Sequence, residues 1–327
     1  MGPAEIEEAR RRLGRVGVWT LDVFMAGATP ADEERRAVAR IEELGYGSLW
    51  FAEGPGGKDA FAQAAILLAA SERIVIAPGI ANVRAREPAA MQGATVTLAE
   101  AYPDRFVLGI GGATKAVLMR EYLEGMDAAT GSPMAPRFAP VADRDAFMKE
   151  VRAYMAGIWQ PSANRGPAVP VPRMLAALGP KMLEVARDHA DGAHPFSAPV
   201  VHTRLAREAL GPDKLLVPEQ PVVFDTDRDR AHERARAFAV LGRKTWPDSP
   251  YNANLRRLGY GEEDLAGSER LVSDLVAWGD EEAIAARVRE QLDAGADHVL
   301  VHPLGSTLAE AVAQLERLAP ALIERAG

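Results

Sequence analysis

Residues 173–194, RMLAALGPKMLEVARDHADGAH, decide how the rest of the chain reads. Arg173–Ala177 is a short apolar run, and Gly179-Pro180 is a turn dipeptide. From Lys181 onward Met182, Val185, Ala186 and the His189/Ala190 pair keep the spacing of one helix face. Pro180 suits the first helical position, because its φ is already helical and the N–H it lacks would have no partner there. Gly192–His194 then reads as another short strand. In a helix that opens directly off a strand, the free N–H groups and the positive dipole end face whatever lies above that strand. Lys181 adds a formal charge. The turn reads equally well as a phosphate cradle and as a plain strand-to-helix connection.

The same unit recurs in both directions. Upstream, Val16–Thr20 is a strand, Thr29-Pro30 opens a helix from about Ala31 to Leu44, and Ser48–Phe51 is a second strand. A Gly-rich loop leads into a helix over Phe61–Ala70. Ile74–Ile80 is a third strand, Pro88 opens a helix running to Ala101, and Phe106–Ile110 is a fourth. Downstream come a helix over Val201–Leu210 and a seventh strand within Lys214–Phe224, broken by prolines. Helices over Asp225–Val240 and Glu281–Leu292, an eighth strand at His298–Val301 and a final helix from Thr307 complete the series. Residues 1–13 form a charged amphipathic prefix. Alternation of this kind builds a parallel sheet with crossover helices. A doubly wound sheet and a closed (β/α)8 TIM barrel both satisfy it, and eight units fit the barrel better. The reading is α/β, one domain over residues 1–327. Two insertions, at about 113–141 after the fourth strand and 241–270 after the seventh, interrupt the rhythm.

Composition narrows the function. The chain has 327 residues, a net charge of −8 and a 48% apolar fraction, enough for a large core and unlike a general nucleic-acid binder. Cysteine is absent, which removes disulfides, thiol chemistry and cysteine-ligated metals. No signal-peptide core stands at the start, and no apolar stretch is long enough to span a bilayer. The expectation is a soluble cytoplasmic protein with a small-molecule substrate and neither a nucleic-acid nor a membrane partner.

In both candidate folds function sits at the C-terminal ends of the strands. Gly111 and Gly112, in Gly109-Ile110-Gly111-Gly112, let a flat ligand pass close to backbone, although the third glycine of a dinucleotide fingerprint is replaced by Thr114. Asn82 is a polar residue leaving an apolar strand, and Glu53 follows the second strand where a proton donor or acceptor would stand. His194 and His302 each end a strand before a proline and are candidates to project into a barrel mouth; His194 is taken as a catalytic candidate beside Glu53. Trp19, Trp246, Tyr251, Tyr260 and His302 are candidates to line a pocket. No pair of histidines has metal-site spacing, so no metal is expected, and no nucleophile-elbow, Walker or EF-hand pattern occurs.

GVWT (17–20), GYGSLWFAE (45–53), IVIAPGIANVRAREPAAMQGATVTLAEAYPDRFVLGIGG (74–112), AALGPKMLEVARDHADGAHP (176–195) and AGADHVLVHPLG (294–305) together resemble the luciferase-like flavin and deazaflavin oxidoreductases. The detail is most similar to the branch that uses coenzyme F-420. The resemblance implies a TIM barrel, commonly a homodimer, that transfers a hydride between the deazaflavin and a small organic substrate. It puts the ring-backing bulge, commonly with a non-prolyl cis peptide, around Ala81-Asn82-Val83, with Trp19, Gly111 and Gly112 nearby. The cofactor phosphate would lie on Ala177, Leu178, Gly179, Pro180, Lys181 and Met182. Relatives that use a group after the second strand would place that role on Glu53. The Asp-His pair found there in some deazaflavin relatives is replaced by Ala52-Glu53-Gly54. Two alternatives stand beside this reading: an FMN-dependent monooxygenase of the same superfamily, and a barrel that binds ligands without turnover.

Overall fold

Every strand pairing among the described residues is parallel, the arrangement that crossover helices impose. The structure, a computed structural model, describes residues 1–23, 29–54, 57–112, 144–158, 170–241, 243, 247–305 and 307–323. The strands are β1 Val16–Thr20, β2 Ser48–Phe51, β3 Val75–Pro78, β4 Ala81–Asn82, β5 Leu108–Gly111, β6 Arg173–Leu175, β7 Gly192–Ala193, β8 Leu215–Leu216, β9 Glu219–Phe224, β10 Ala277–Gly279 and β11 Val299–Pro303. The helices are α1 Pro3–Leu13, α2 Ala31–Glu43, α3 Ala60–Ala69, α4 Pro88–Ala101, α5 Arg144–Ile158, α6 Pro180–His189, α7 Val200–Leu210, α8 Arg228–Val240, α9 Pro250–Arg257, α10 Glu262–Leu265, α11 Glu269–Leu275, α12 Glu281–Asp293 and α13 Leu308–Leu322.

Two sheets, in the orders β10-β9-β11-β1-β2-β3 and β4-β5-β6-β7-β8, share the circuit. The chain passes from one to the other at β3–β4 and again at β8–β9. An Ile76–Phe106 bridge spans the first junction, and the Asp297 N–H to Leu216 carbonyl bond spans the second. The expected third strand is thus divided at Gly79-Ile80, and the expected seventh at Val217-Pro218. The proline removes a ladder donor at the bend.

Alternation along the strands sorts side chains into layers inside the barrel. Ser48 and His298 lie at the N-terminal end, where Ser48 Oγ and His298 Nε2 are 2.7 Å apart. Trp19, Trp50, Val217 and Leu300 share the inner cluster with Met174 and Val107. Two residues further along each strand, the direction of Val217 and Leu300 is continued by Glu219 and His302. Helix α1 closes the opposite end: Ile6, Ala9 and Leu13 join the same inner cluster. The larger cluster fills the space between barrel and outer helices.

The expected insertion 113–141 lies outside the described residues, as does Trp246. Residues 241–270 differ from the irregular segment expected. They hold α9, α10 and the start of α11, with Ser249 and Ser268 capping α9 and α11 through side-chain oxygens. Their apolar residues make a third cluster with α8, including Leu255, Tyr260 and Leu265. The next strand, β10, extends the sheet against Val222–Phe224 and has no counterpart in the sequence pattern. Its three residues, Ala-Trp-Gly, are too short to show a period.

Candidate active site

The segments at the C-terminal ends of the strands build the mouth. After β3 the chain turns through a cis peptide at Gly79-Ile80 and resumes pairing at Ala81-Asn82 against Ile110-Gly111. The break therefore falls two residues before the expected Ala81-Asn82-Val83, whose first two members form β4. Trp19 braces the turn from the barrel interior: its Nε1–H donates to the Gly79 carbonyl at 3.1 Å. Ile80, half-buried, stands over Gly111, where a Cβ would come within 2.8 Å of Ile80 Cγ1 and 3.0 Å of Ala176 Cβ. Gly111 is glycine because two strands and Ile80 crowd it. Val83 N–H donates to the Gly111 carbonyl at 2.9 Å, so Ala81, Asn82 and Val83 form one buried ledge with Gly111 and Gly112.

Glu53 ties that ledge to its surroundings. Its Oε2 accepts from Asn82 N–H and Arg86 Nη1, both at 2.8 Å. Its Oε1 accepts from Ala60 N–H at 3.1 Å and from Arg86 Nη2. A carboxylate held by a guanidinium and two backbone donors is a strut, without the exposed oxygen of the proton donor expected at this position. Asn82 is equally occupied, its Oδ1 accepting from Arg84 N–H at 3.0 Å.

His194 also departs from expectation. Its ring is 1% exposed, with Nδ1 at 2.7 Å from the Val217 carbonyl. A carbonyl only accepts, so Nδ1 carries the proton and Nε2 is an acceptor with no partner among the described residues. Nε2 lies under Gly79, 3.3 Å from where a Cβ would be, and the ring packs at a tilt against Trp50, 5.0 Å between centroids. Burial holds the imidazole below its ordinary pKa and keeps it neutral. It does not project into the mouth as an acid.

His302 does lie in the upper layer. Its Nδ1 is 2.7 Å from Glu219 Oε1, and Glu219 is fully buried. The other carboxylate oxygen accepts from Ser197 N–H at 2.9 Å. Around the imidazole stand Trp19 at 4.5 Å, Phe238 at 5.8 Å and Phe196 at 6.3 Å between ring centroids. Phe196 also packs on Trp19 at 4.8 Å and on Tyr251 at 6.3 Å. Burial raises the Tyr251 phenol to about 12, so it stays neutral. Three predicted residues, Trp19, Tyr251 and His302, therefore meet around Phe196. Tyr260 does not join them; it packs in the insertion's own cluster and donates to Asp274 at 2.6 Å.

At the far side of the mouth, β6 runs through Ala177-Leu178 into α6. Gly179 is the N-cap residue with φ −82°, Pro180 opens the helix, and no side chain caps it. Met182 and Leu183 N–H bond back to the Gly179 carbonyl at 3.0 and 2.9 Å. The Arg257 guanidinium, at the end of α9, reaches the turn: a Cβ on Gly179 would be 3.3 Å from Arg257 Nη2. His202 on α7 supports the turn with Nε2 2.9 Å from the Leu178 carbonyl. An uncapped helix start beside two cationic side chains, Lys181 and Arg257, has the electrostatics of an anion seat. These residues fit the phosphate of a flavin-type cofactor, and the small residues and bulge of the ledge fit the approach of its flat ring.

Sequence reasoning passes over Glu219, Phe196, Ile80, Arg86 and Arg257. Glu219 and Phe196 carry a signal, since each lies two residues beyond an inward-facing position, Val217 and His194. Arg257 carries none, because its place depends on how the insertion folds back.

The sequence profile of luciferase-like monooxygenases matches residues 15–298. An F420-dependent glucose-6-phosphate dehydrogenase of Nakamurella multipartita is 27% identical over 262 residues, covering 72% of this chain and 74% of the relative. Among solved structures, an F420-dependent secondary alcohol dehydrogenase in complex with an F420–acetone adduct superposes with a TM-score of 0.68. That match has 16% identity and covers 94% of this chain and 99% of the other. The FMN-bound oxygenating constituent of 3,6-diketocamphane monooxygenase from Pseudomonas putida gives 0.64 at 14% identity, covering 96% and 98%. At these identities the structural matches speak for the fold, a luciferase-like TIM barrel.

Proposed function

Because the chain belongs to the luciferase-like monooxygenase family, we propose that it is a coenzyme F-420-dependent oxidoreductase acting on a small organic substrate. The observation that carries this reading is the turn at Gly179, where an uncapped helix start meets the Arg257 guanidinium two strands along the sheet from the Gly79-Ile80 bulge. The F-420 dependence of the 27%-identical relative supports the choice of deazaflavin over flavin. When bound, the deazaflavin gives or takes a hydride at its C5 and does not activate oxygen.

The protein's part is placement and exclusion of water. The α6 N-terminus, with Lys181 and Arg257, would hold the cofactor phosphate. The ledge of Ile80, Ala81, Asn82 and Gly111, braced by Trp19 and by Glu53, would support the flat ring. Phe196, Tyr251 and Trp19 wall the remaining space with aromatic surface and suit an apolar substrate. The reading includes a single domain, a homodimer and a cytoplasmic setting; among the described residues no helix is long and apolar enough to cross a membrane.

The test is a pair of titrations of the full chain, one with F-420 and one with FMN, followed by fluorescence quenching. Saturable F-420 binding with weaker FMN binding is expected. Tight FMN binding without F-420 binding would replace the reading with a flavin monooxygenase, and binding of neither would leave a barrel without turnover.

A further inference from the structure

We propose that His302, oriented by Glu219, is the catalytic acid–base group that moves the proton accompanying hydride transfer, on a substrate whose apolar surface lies against the Trp19–Phe196 wall. The proposal rests on the oxidoreductase reading and adds the residue that serves it and the substrate class, a carbonyl compound or its alcohol with apolar substituents.

A buried carboxylate accepts and does not donate, so the 2.7 Å contact to Glu219 Oε1 puts a proton on His302 Nδ1. The second Glu219 oxygen is already held by Ser197 N–H. Rotation of the carboxylate would break that bond, so the imidazole has one orientation. Nε2 is then the edge left for chemistry, and it has no hydrogen-bond partner among the described residues. The carboxylate behind the ring holds Nδ1–H and turns Nε2 toward the substrate, where an imidazole nitrogen can give or take a proton in either direction.

Position agrees with the role. β11 pairs with β1 in a register that sets Val301 beside Val18, which brings His302 level with Trp19 at the C-terminal ends of both strands. The imidazole of His302 sits among the aromatic side chains of Trp19, Phe196 and Phe238, so a substrate seated there offers apolar surface to the wall and one oxygen to Nε2. The other proton candidates do not compete: Glu53 is committed to four donors and His194 is sealed beneath Gly79. The Ala52-Glu53-Gly54 segment has no histidine after β2, and β11 supplies one instead.

In the reducing direction the carbonyl carbon gains a hydride, and with it two electrons, from the reduced coenzyme. The C=O π pair moves onto oxygen, which takes the proton from His302 Nε2 and becomes the alcohol. The imidazole regains a proton from solvent while the oxidised coenzyme gives up its ring N–H proton, so atoms and charge balance. In the oxidising direction Nε2 takes the alcohol proton as the hydride leaves carbon. The ionisable groups near the pair are His194 and Tyr251, each within reach of the Glu219 charge, with Arg243 acting on Tyr251 in turn.

Full-length His302→Asn, Glu219→Gln and wild type are compared in three ways. Ring nitrogen NMR of the cofactor-free protein should show His302 as the Nδ1–H tautomer in wild type and a mixture or the other tautomer in Glu219→Gln. F-420 affinity should stay within about twofold in both variants, which reports folding and an intact cofactor seat. Oxidation of reduced F-420 by cyclohexenone and by benzaldehyde should show kcat reduced by about 10²-fold or more in His302→Asn with KM within a few fold. Glu219→Gln should move the pH limb that His302→Asn abolishes. An Nε2–H tautomer in wild type overturns the proposal, as does kcat within twofold of wild type in a His302→Asn variant that binds F-420. Where wild type binds F-420 but reduces neither probe, the tautomer and its response to Glu219→Gln decide. Failure of wild type to bind F-420 falls on the oxidoreductase reading instead.

Discussion

Gly179 and Glu53 each take their meaning from neighbours that lie far away in sequence. At Gly179, φ of −82° is open to any residue, and the nearest atoms are those of the Arg257 guanidinium. An Asp there would cap α6 and pair with Arg257, occupying the seat that a phosphate needs. Gly179→Asp should therefore hold or raise the melting temperature while weakening cofactor binding at least tenfold; unchanged affinity would remove the phosphate from this turn. Glu53 is legible in the sequence as a carboxylate at a strand end, but its four donors come from three places, Ala60, Asn82 and Arg86. Spacing shows none of them. Glu53→Gln leaves Arg86 without its buried partner and should cost about 2 kcal/mol or more, read in denaturant, with looser cofactor binding. Full stability with lowered turnover alone would return Glu53 to a catalytic role.

At the scale of elements the sequence is readable wherever a strand and its helix each keep their own period. β1 and β2 appear with the expected bounds, and α6 begins at Pro180 as the turn dipeptide implies. Besides β10 and the helices of the second insertion, the errors fall where the chain changes sheets. Ile74–Ile80 and Lys214–Phe224 are continuous apolar runs, and periodicity does not reveal a bend inside such a run; only Pro218 hints at one. The charged N-terminal prefix is the plug of the barrel, with Ile6 and Leu13 each 1% exposed. Gly47 packs so closely on the Leu13 carbonyl that no side chain fits between them. Leu13→Ala should destabilise the protein by roughly 2–5 kcal/mol and leave F-420 affinity unchanged, because the cavity opens at the end opposite the mouth. A loss of affinity matching the loss of stability would mean that the two ends are coupled.

Over the whole molecule, three histidines are buried with their pKa values pushed down by desolvation: His194, His202 and His298, the last to about 4. In the unfolded chain each titrates near 6.5. Between those values the unfolded state binds protons that the native state does not, so stability is at its plateau above pH 6.5 and falls as pH drops toward 4. For His298 alone, from about 4 against 6.5, the loss is on the order of 3 kcal/mol. The melting temperature should be flat from pH 7 to 8 and decline below 6.5, and His298→Gln, which keeps a partner for Ser48, should flatten the decline. Identical slopes would show that His298 does not carry it. The barrel is legible in the sequence because eight strand–helix alternations leave few other topologies. The mouth is legible only in part, because the groups that share it, Trp19, Phe196, Glu219, Tyr251 and His302, come from four strand ends and an insertion.

The most direct measurement is the fate of the hydride. Reduced F-420 carrying deuterium at C5 is mixed anaerobically with the protein and a carbonyl compound that it reduces, and the product is analysed for deuterium on carbon. The account predicts one deuterium on the former carbonyl carbon, without oxygen and without FMN. A product that forms only with reduced FMN and oxygen, and that carries an oxygen atom from O2, would contradict it.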